Sequence, residues 1–207
     1  MNRPHRWYCQ SSHWRRRLER EVLPWALAGL ALGDTVLEGG PGPGLTTDWL
    51  LPRCRNLTCM EKNLVLVSKR SGSSYCHSNV HVHCGDATAM PFPDRSFSSA
   101  VCFTVLHHVP STGLQNRLFS EVYRVLRPGG TFAGMDSMNS PLMQVFHFRD
   151  TLVLVDPMNC QRGWNRSDSA MWKSKSAPAD FGFVRSGRRN AIGIGSMRSP
   201  QAAKIRV

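Results

Sequence analysis

The stretch Val36–Leu50, VLEGGPGPGLTTDWL, packs glycines at 39, 40, 42 and 44 and prolines at 41 and 43 between a strand-like apolar run and a helix-like one. Glycine is demanded where φ is positive, or where a β-carbon would collide with a group lying on the main chain. A strand, a tight glycine turn and a helix in that order therefore hold something against their own backbone. A dinucleotide fingerprint counted from Gly40 and Gly42 would put its third glycine at Leu45, and no Gly-Lys-Ser/Thr follows. A pyrophosphate-binding turn is thus disfavoured and a P-loop is excluded. Glu38, at the strand end, would repel a diphosphate but attract an ammonium or a sulfonium.

The strand-and-helix unit repeats. NLTCME ending in Glu61, NVHVHCGD ending near Asp86, SSAVCFTVL and TFAGMDS all read as further strands. Between the last two, STGLQNRLFSEVYRVLRPGG reads as a helix. Leu114, Leu118, Val122 and Val125 form its inner stripe, Thr112 and Gln115 could form a capping box, and Arg127–Gly130 is its stop. Residues 62–79 should hold another crossover helix, but offer only a short apolar run before a Ser/Gly-rich piece, so a degraded helix is expected there. Residues 11–31 place Trp14, Leu18, Val22 and Trp25 on one helical face, with Pro24 starting a second piece.

Alternating strands and helices predict an α/β, Rossmann-like doubly wound, mostly parallel sheet with helices on both faces and ligands at the carboxyl ends of the strands. Three acids stand at three such ends. Glu61 lies 17 residues beyond Gly44, where a carboxylate can accept both hydroxyls of a ribose, and Asp86, followed by Ala87, can accept from an adenine amino group.

The chain has 207 residues, enough for one core with tails. It has no apolar run of about 18 residues, so no membrane span is expected. The formal charge of +12 sits in the ends: residues 1–20 carry six Arg/Lys against one acid, 162–207 ten against two, and 21–161 ten against eleven. Basic tails can touch phosphates, but solvated tails look the same, so nucleic acid is an unfavoured partner. Seven cysteines, odd in number and without CxxC spacing, favour free thiols and a cytoplasmic setting. The N-terminus lacks the apolar segment of a secretory signal. Cys76, His81, His83 and Cys84 could be imagined as a zinc site, but VHVHC suits a strand better, and no metal is expected.

From Trp25 to Ser137, through VLEGGPGPG, CMEK, GDATAMPFPDRSFSSAVCFTVLHHV and EVYRVLRPGGTFAG, the chain resembles the class I S-adenosylmethionine-dependent methyltransferases. It is most similar to their small-molecule type, such as the ubiquinone and menaquinone C-methyltransferases. The resemblance implies S-adenosylmethionine as cofactor and a small-molecule acceptor. Gly40, Gly42 and Gly44 would then line the methionine moiety, Glu61 the ribose, Asp86 and Ala87 the adenine, and Thr104 to His107 the wall beside the sulfonium. An N-terminal piece, 1–31, with Trp7, Trp14 and Trp25 would cap a binding domain at 32–156. His107 and His108 are the candidates for a general base where the acceptor needs one. The family closes its sheet with an antiparallel hairpin, which 157–207 does not advertise; the expectation is a last hairpin degraded or missing and a poorly ordered basic tail. Gly39, where the family has an aliphatic residue, leaves open an inactive relative, and the basic ends leave open a nucleic-acid-binding protein.

Overall fold

The computed structural model describes residues 2–63, 77–137, 141–155, 173–176 and 180–186. Three short helices open the chain: α1 (Arg3–Cys9), α2 (Ser12–Arg17) and, after a π-helical turn at Leu18–Val22, α3 (Leu23–Ala26). Asn2 and Ser11 cap the first two by accepting from the His5 and Trp14 amides. The alternating core follows: β1 (Thr35–Gly39), α4 (Leu45–Leu50), β2 (Asn56–Glu61), β3 (Val80–Cys84), β4 (Phe97–Phe103), α5 (Thr112–Val125), β5 (Leu126–Ser137) and α6 (Pro141–Phe146). Two strands complete the sheet, β6 (Lys173–Ser176) and β7 (Asp180–Ser186).

The sheet order is β3-β2-β1-β4-β5-β7-β6, parallel across the first five strands and antiparallel in the last two. The doubly wound class is as the sequence predicts, but the expected loss of the closing hairpin is corrected. β7 pairs with β5 from Thr131↔Ser186 to Ser137↔Asp180, and β6 pairs with β7. The hairpin escapes a sequence reading because its outer strand is Lys-Ser-Lys-Ser, the polar composition by which an edge strand avoids further pairing. The crossover expected at 62–79 falls mostly on residues 64–76, outside the described residues, as does the rest of the tail.

Neighbouring residues of the central strands go to opposite faces. Val36, Val101, Phe103 and Ala133 pack with Trp14, Leu18, Val22 and Leu23 of the N-terminal helices, while Leu37, Cys102 and Phe132 pack with Leu118, Phe119 and Val122 of α5. This period-2 division is what makes a two-faced core from one sheet. Trp25 packs only partly against the first cluster.

Helix α5 differs in its start. Ser111, not Thr112, is the cap, accepting from the Leu114 amide at 3.2 Å. Gln115 is buried instead of serving a capping box, and donates to the carbonyls of Leu106 (3.0 Å) and Val153 (2.8 Å). The Arg127–Gly130 stop becomes an irregularity inside β5: the pairing with β4 jumps from Phe97↔Leu126 to Ser99↔Thr131. At Gly39 a β-carbon would lie 2.7 Å from Sγ of Cys102, its partner on β4.

Candidate active site

The glycine turn takes the conformation its composition demands. Gly40, Gly42 and Gly44 have φ of 65°, 50° and 76°, the region that residues with a β-carbon avoid. At Gly40 a second constraint acts, because a β-carbon there would lie 2.5 Å from Cγ2 of Val105. The Gly40 amide donates to the Met60 carbonyl at 2.8 Å, tying the turn to the end of β2, and Gly44 opens α4.

A cavity of about 420 Å³ lies at the carboxyl ends of β1 to β4. Its walls are the glycine turn, residues 60–63 at the end of β2, 85–88 after β3, and 103–105 and 108–110 at the end of β4; His5, Cys9, Trp14 and Leu18 close it from the N-terminal helices. Of the expected site residues, Gly40, Gly42, Glu61, Asp86, Ala87, Thr104 and His108 reach this wall, and Glu38, Gly44 and His107 do not. Of the three tryptophans expected over the pocket, Trp14 lines it; Trp7 is 74% exposed, and Trp25 is not in the wall.

Glu38 lies behind the glycine turn, outside the cavity wall. It is buried, accepting from Oγ1 of Thr47 at 2.7 Å and from Sγ of Cys59 at 3.4 Å, so its charge is met by the first turn of α4 and by β2. Glu61 plays the bridging part. One carboxylate oxygen accepts from the Gly42 amide at 3.1 Å, and the other from the Asn63 amide at 2.9 Å. Each oxygen keeps a lone pair for a hydroxyl in the cavity.

Asp86 has a partner that sequence reading missed. Nζ of Lys62 lies 2.7 Å from one oxygen, and the amide and hydroxyl of Thr88 donate to the other at 2.9 and 2.8 Å. The Lys62 hydrogen bond, then the Thr88 amide, draws the Asp86 carboxyl down to about 2 from its ordinary 3.8. A carboxyl depressed in the folded chain contributes stability that is present above the unfolded value and fades as pH falls towards the folded one. Lys62→Met should therefore be less stable than the parent above pH 4, the gap narrowing between pH 3.8 and about 2. Both groups are exposed, so the gap at neutral pH stays within about 1 kcal/mol; urea melts across that range measure it.

Thr104, straight after β4, holds φ at 57°, unusual for a β-branched residue, with its amide donating to the Met135 carbonyl at 2.7 Å. The turn that follows carries His107 and His108. His107 is 1% exposed, and its Nδ1 is hydrogen-bonded to Oδ1 of Asp136, itself fully buried at the end of β5. The other Asp136 oxygen accepts from the amides of Leu106 (2.7 Å) and His107 (3.3 Å). Asp136 thus fastens the whole turn to β5. Burial, and then the neighbouring imidazoles of His107, His5 and His147, push His108 down to about 3. His108 is therefore neutral at physiological pH and a weak proton acceptor.

Comparison with known proteins agrees with this geometry. Residues 37–134 match a family model described as methyltransferase domain. A probable S-adenosylmethionine-dependent methyltransferase of Mycolicibacterium smegmatis is 31% identical over 124 residues, 60% of this chain and 45% of that protein. A probable ribosomal RNA small subunit methyltransferase A of Methanosarcina mazei is 27% identical over 75% of this chain and 60% of its own length. A mitochondrial 2-methoxy-6-polyprenyl-1,4-benzoquinol methylase of Drosophila melanogaster is 31% identical over 36% of this chain and 25% of its own length. The chain thus spans less than two thirds of the length of each of these relatives. Among solved structures, the N-methyltransferase NodS of Bradyrhizobium japonicum, in complex with S-adenosyl-L-homocysteine, superposes with a TM-score of 0.67 over 87% of this chain and 90% of its own, at 14% identity. At that identity the likeness is one of fold.

Proposed function

We propose that the chain, whose residues 37–134 match a methyltransferase-domain model, transfers a methyl group from S-adenosylmethionine to a small-molecule acceptor held in the cavity at the strand ends. The observation that carries the reading is the Glu61 carboxylate, which binds the Gly42 amide and yet fronts the cavity. One group thereby sets both the glycine turn and the place of a ribose. The donor set fits such a cofactor. Carboxylates at 61 and 86 suit hydroxyls and an amino group, and the space beside the Gly42 Cα is open, its nearest neighbour being the Gly40 carbonyl at 4.0 Å. Among the described residues, the one Lys or Arg in the cavity wall is Lys62, and it is paired with Asp86.

When bound, the cofactor supplies a methyl group made electrophilic by the cationic sulfur. The residues of the chain have the work of alignment, because in-line displacement depends on holding nucleophile and methyl at contact distance in a dry site. In this reading Gly40 and Gly42 receive the methionine end along the backbone, with Gly44 and Glu38 holding the turn behind them. Asp86 and Ala87 border the adenine, and Thr104 stands beside the sulfur. His5, Cys9, Trp14 and Leu18 roof the acceptor space, so residues 1–31 act as the cap and 32–156 as the body. Proton removal is not assigned to His107, which lies outside the wall, nor to His108, whose weak basicity leaves it to shape the acceptor side.

The M. mazei relative and the basic ends of the chain favour a second reading, in which the acceptor is RNA. Titration calorimetry with S-adenosylmethionine and S-adenosylhomocysteine is the deciding experiment. Micromolar binding to the chain, weakened at least about tenfold in Glu61→Ala through the loss of hydrogen bonds to a charged group, is expected. A folded chain that binds neither ligand overturns the reading. Binding without turnover on any acceptor identifies an inactive relative, and salt-sensitive RNA binding identifies the second reading.

A further inference from the structure

Four histidines far apart in sequence converge on one point. His5 comes from α1, His107 and His108 from the turn after β4, and His147 from just beyond α6. One ring nitrogen from each lies within 4.8 Å of all the others. The rings crowd accordingly: centroids are 4.2 Å apart for His107 and His108, 4.4 Å for His5 and His147, and 4.9 Å for His107 and His147.

Three ring nitrogens of this group, Nδ1 of His5 and Nε2 of His107 and His147, are buried with no hydrogen-bond partner among the described residues. Each such atom has given up its hydration without a replacement, and buried polar atoms are almost always paired. Three orphans on four rings that converge call for a common partner. The opposite nitrogens are already engaged: Nδ1 of His107 with Asp136, and Nδ1 of His147 with the Met143 carbonyl at 2.8 Å. A ring that donates Nδ1–H to a carboxylate or a carbonyl presents a lone pair on Nε2, which is the arrangement that orients ligating histidines.

We propose that His5, His107, His108 and His147 form a binding site for one divalent late first-row transition cation, with zinc as its natural occupant. Four imidazoles make a donor set that suits zinc, nickel or copper and is poor for magnesium or calcium. A tetrahedral shell of nitrogens at 2.0–2.1 Å from zinc places them about 3.4 Å apart, so the observed cluster reaches it through small side-chain rotations. Asp136 stands behind His107 as the outer carboxylate. The site is separate from the glycine turn, and the inference does not depend on the methyl-transfer reading.

Its position suggests what the cation does. The start of α1 is also tied to the segment after α6 by hydrogen bonds from the Asn2 amide to Asp150 (2.8 Å) and from the Asn2 side chain to the Phe148 carbonyl (3.2 Å). A cation would bind α1 and the segment after α6 to the β4 turn at once. His5 and His108 also line the cavity, so occupancy fixes its roof.

The test uses the full chain, stripped with a chelator and titrated with Co²⁺ and then Zn²⁺. One Co²⁺ per chain is expected, with d–d absorption typical of nitrogen ligation, displaced by one equivalent of Zn²⁺. His5→Gln and His147→Gln should each weaken Co²⁺ binding at least tenfold, and Asp136→Asn about 10–100-fold. His13→Gln and His83→Gln, on exposed histidines, should leave it unchanged. If a histidine variant does not fold, the melting temperature of the stripped parent chain decides: it should rise with Zn²⁺ and level off at one equivalent. A folded parent that binds no Co²⁺, binding indifferent to His5 and His147, or a melting temperature that Zn²⁺ does not raise would each overturn the proposal.

Discussion

Gly40→Ala is expected to abolish cofactor binding and to destabilise the chain by about 2–5 kcal/mol. Two independent costs combine. A residue with a β-carbon in the left-handed region costs about 1–2 kcal/mol, and Gly40 sits at φ 65°. The new methyl would also lie 2.5 and 2.8 Å from the two γ-carbons of Val105, an overpacking worth about 1–3 kcal/mol. The turn relieves that contact by moving away from Val105, which draws the Gly42 amide off Glu61. Calorimetry with S-adenosylhomocysteine should show at least a hundredfold loss, and denaturant melts the fall in stability. Adding Val105→Ala should recover the packing part and leave the backbone strain. A double variant no better than the single one would show that the contact with Val105 is not what excludes a side chain at position 40.

Asp136→Ala should be the most damaging change at the end of β5. Its two oxygens accept from the amides of Leu106, His107 and Ser137 and from the His107 ring, all without solvent. Removing them strands several buried donors at once, and loss of one partner from such a buried cluster costs about 3–5 kcal/mol. That is a large part of the 5–15 kcal/mol typical of a domain. Asp136→Asn keeps an acceptor for the Leu106 amide and should cost less than half as much. Equal denaturation midpoints for the two variants would mean that the carboxylate charge, not its oxygen acceptors, holds the β4 turn.

What the sequence made legible was what lies close along the chain. The glycine turn, Glu61 and Asp86 could be placed because each closes a strand whose own pattern is clear, and parallel strands bring their carboxyl ends to one edge. Errors arose where a local reading competed with a partner distant in sequence. Gln115 looks like a capping residue, yet the carbonyls of Leu106 and Val153 claim it. The Lys62–Asp86 pair spans 24 residues, and His5 and His147, whose rings meet, stand 142 positions apart. No periodicity announces such meetings, since they are products of topology. The closing hairpin was hidden for another reason: a polar edge strand carries no apolar alternation to read.

The contact between Gly39 and Cys102 has a consequence for how this sheet can vary. Position 39 has no β-carbon because the sulfur on the adjacent strand fills that space. That sulfur is fully buried, with burial, then Asp136 and Glu38, raising its pKa to about 12, so it serves as a filler and not as a nucleophile. The two positions therefore share one small volume between β1 and β4. The missing aliphatic side chain need not be read as decay of the strand, because the same space has been handed across the sheet. A descendant that regained a side chain at 39 would first have to give up the sulfur opposite.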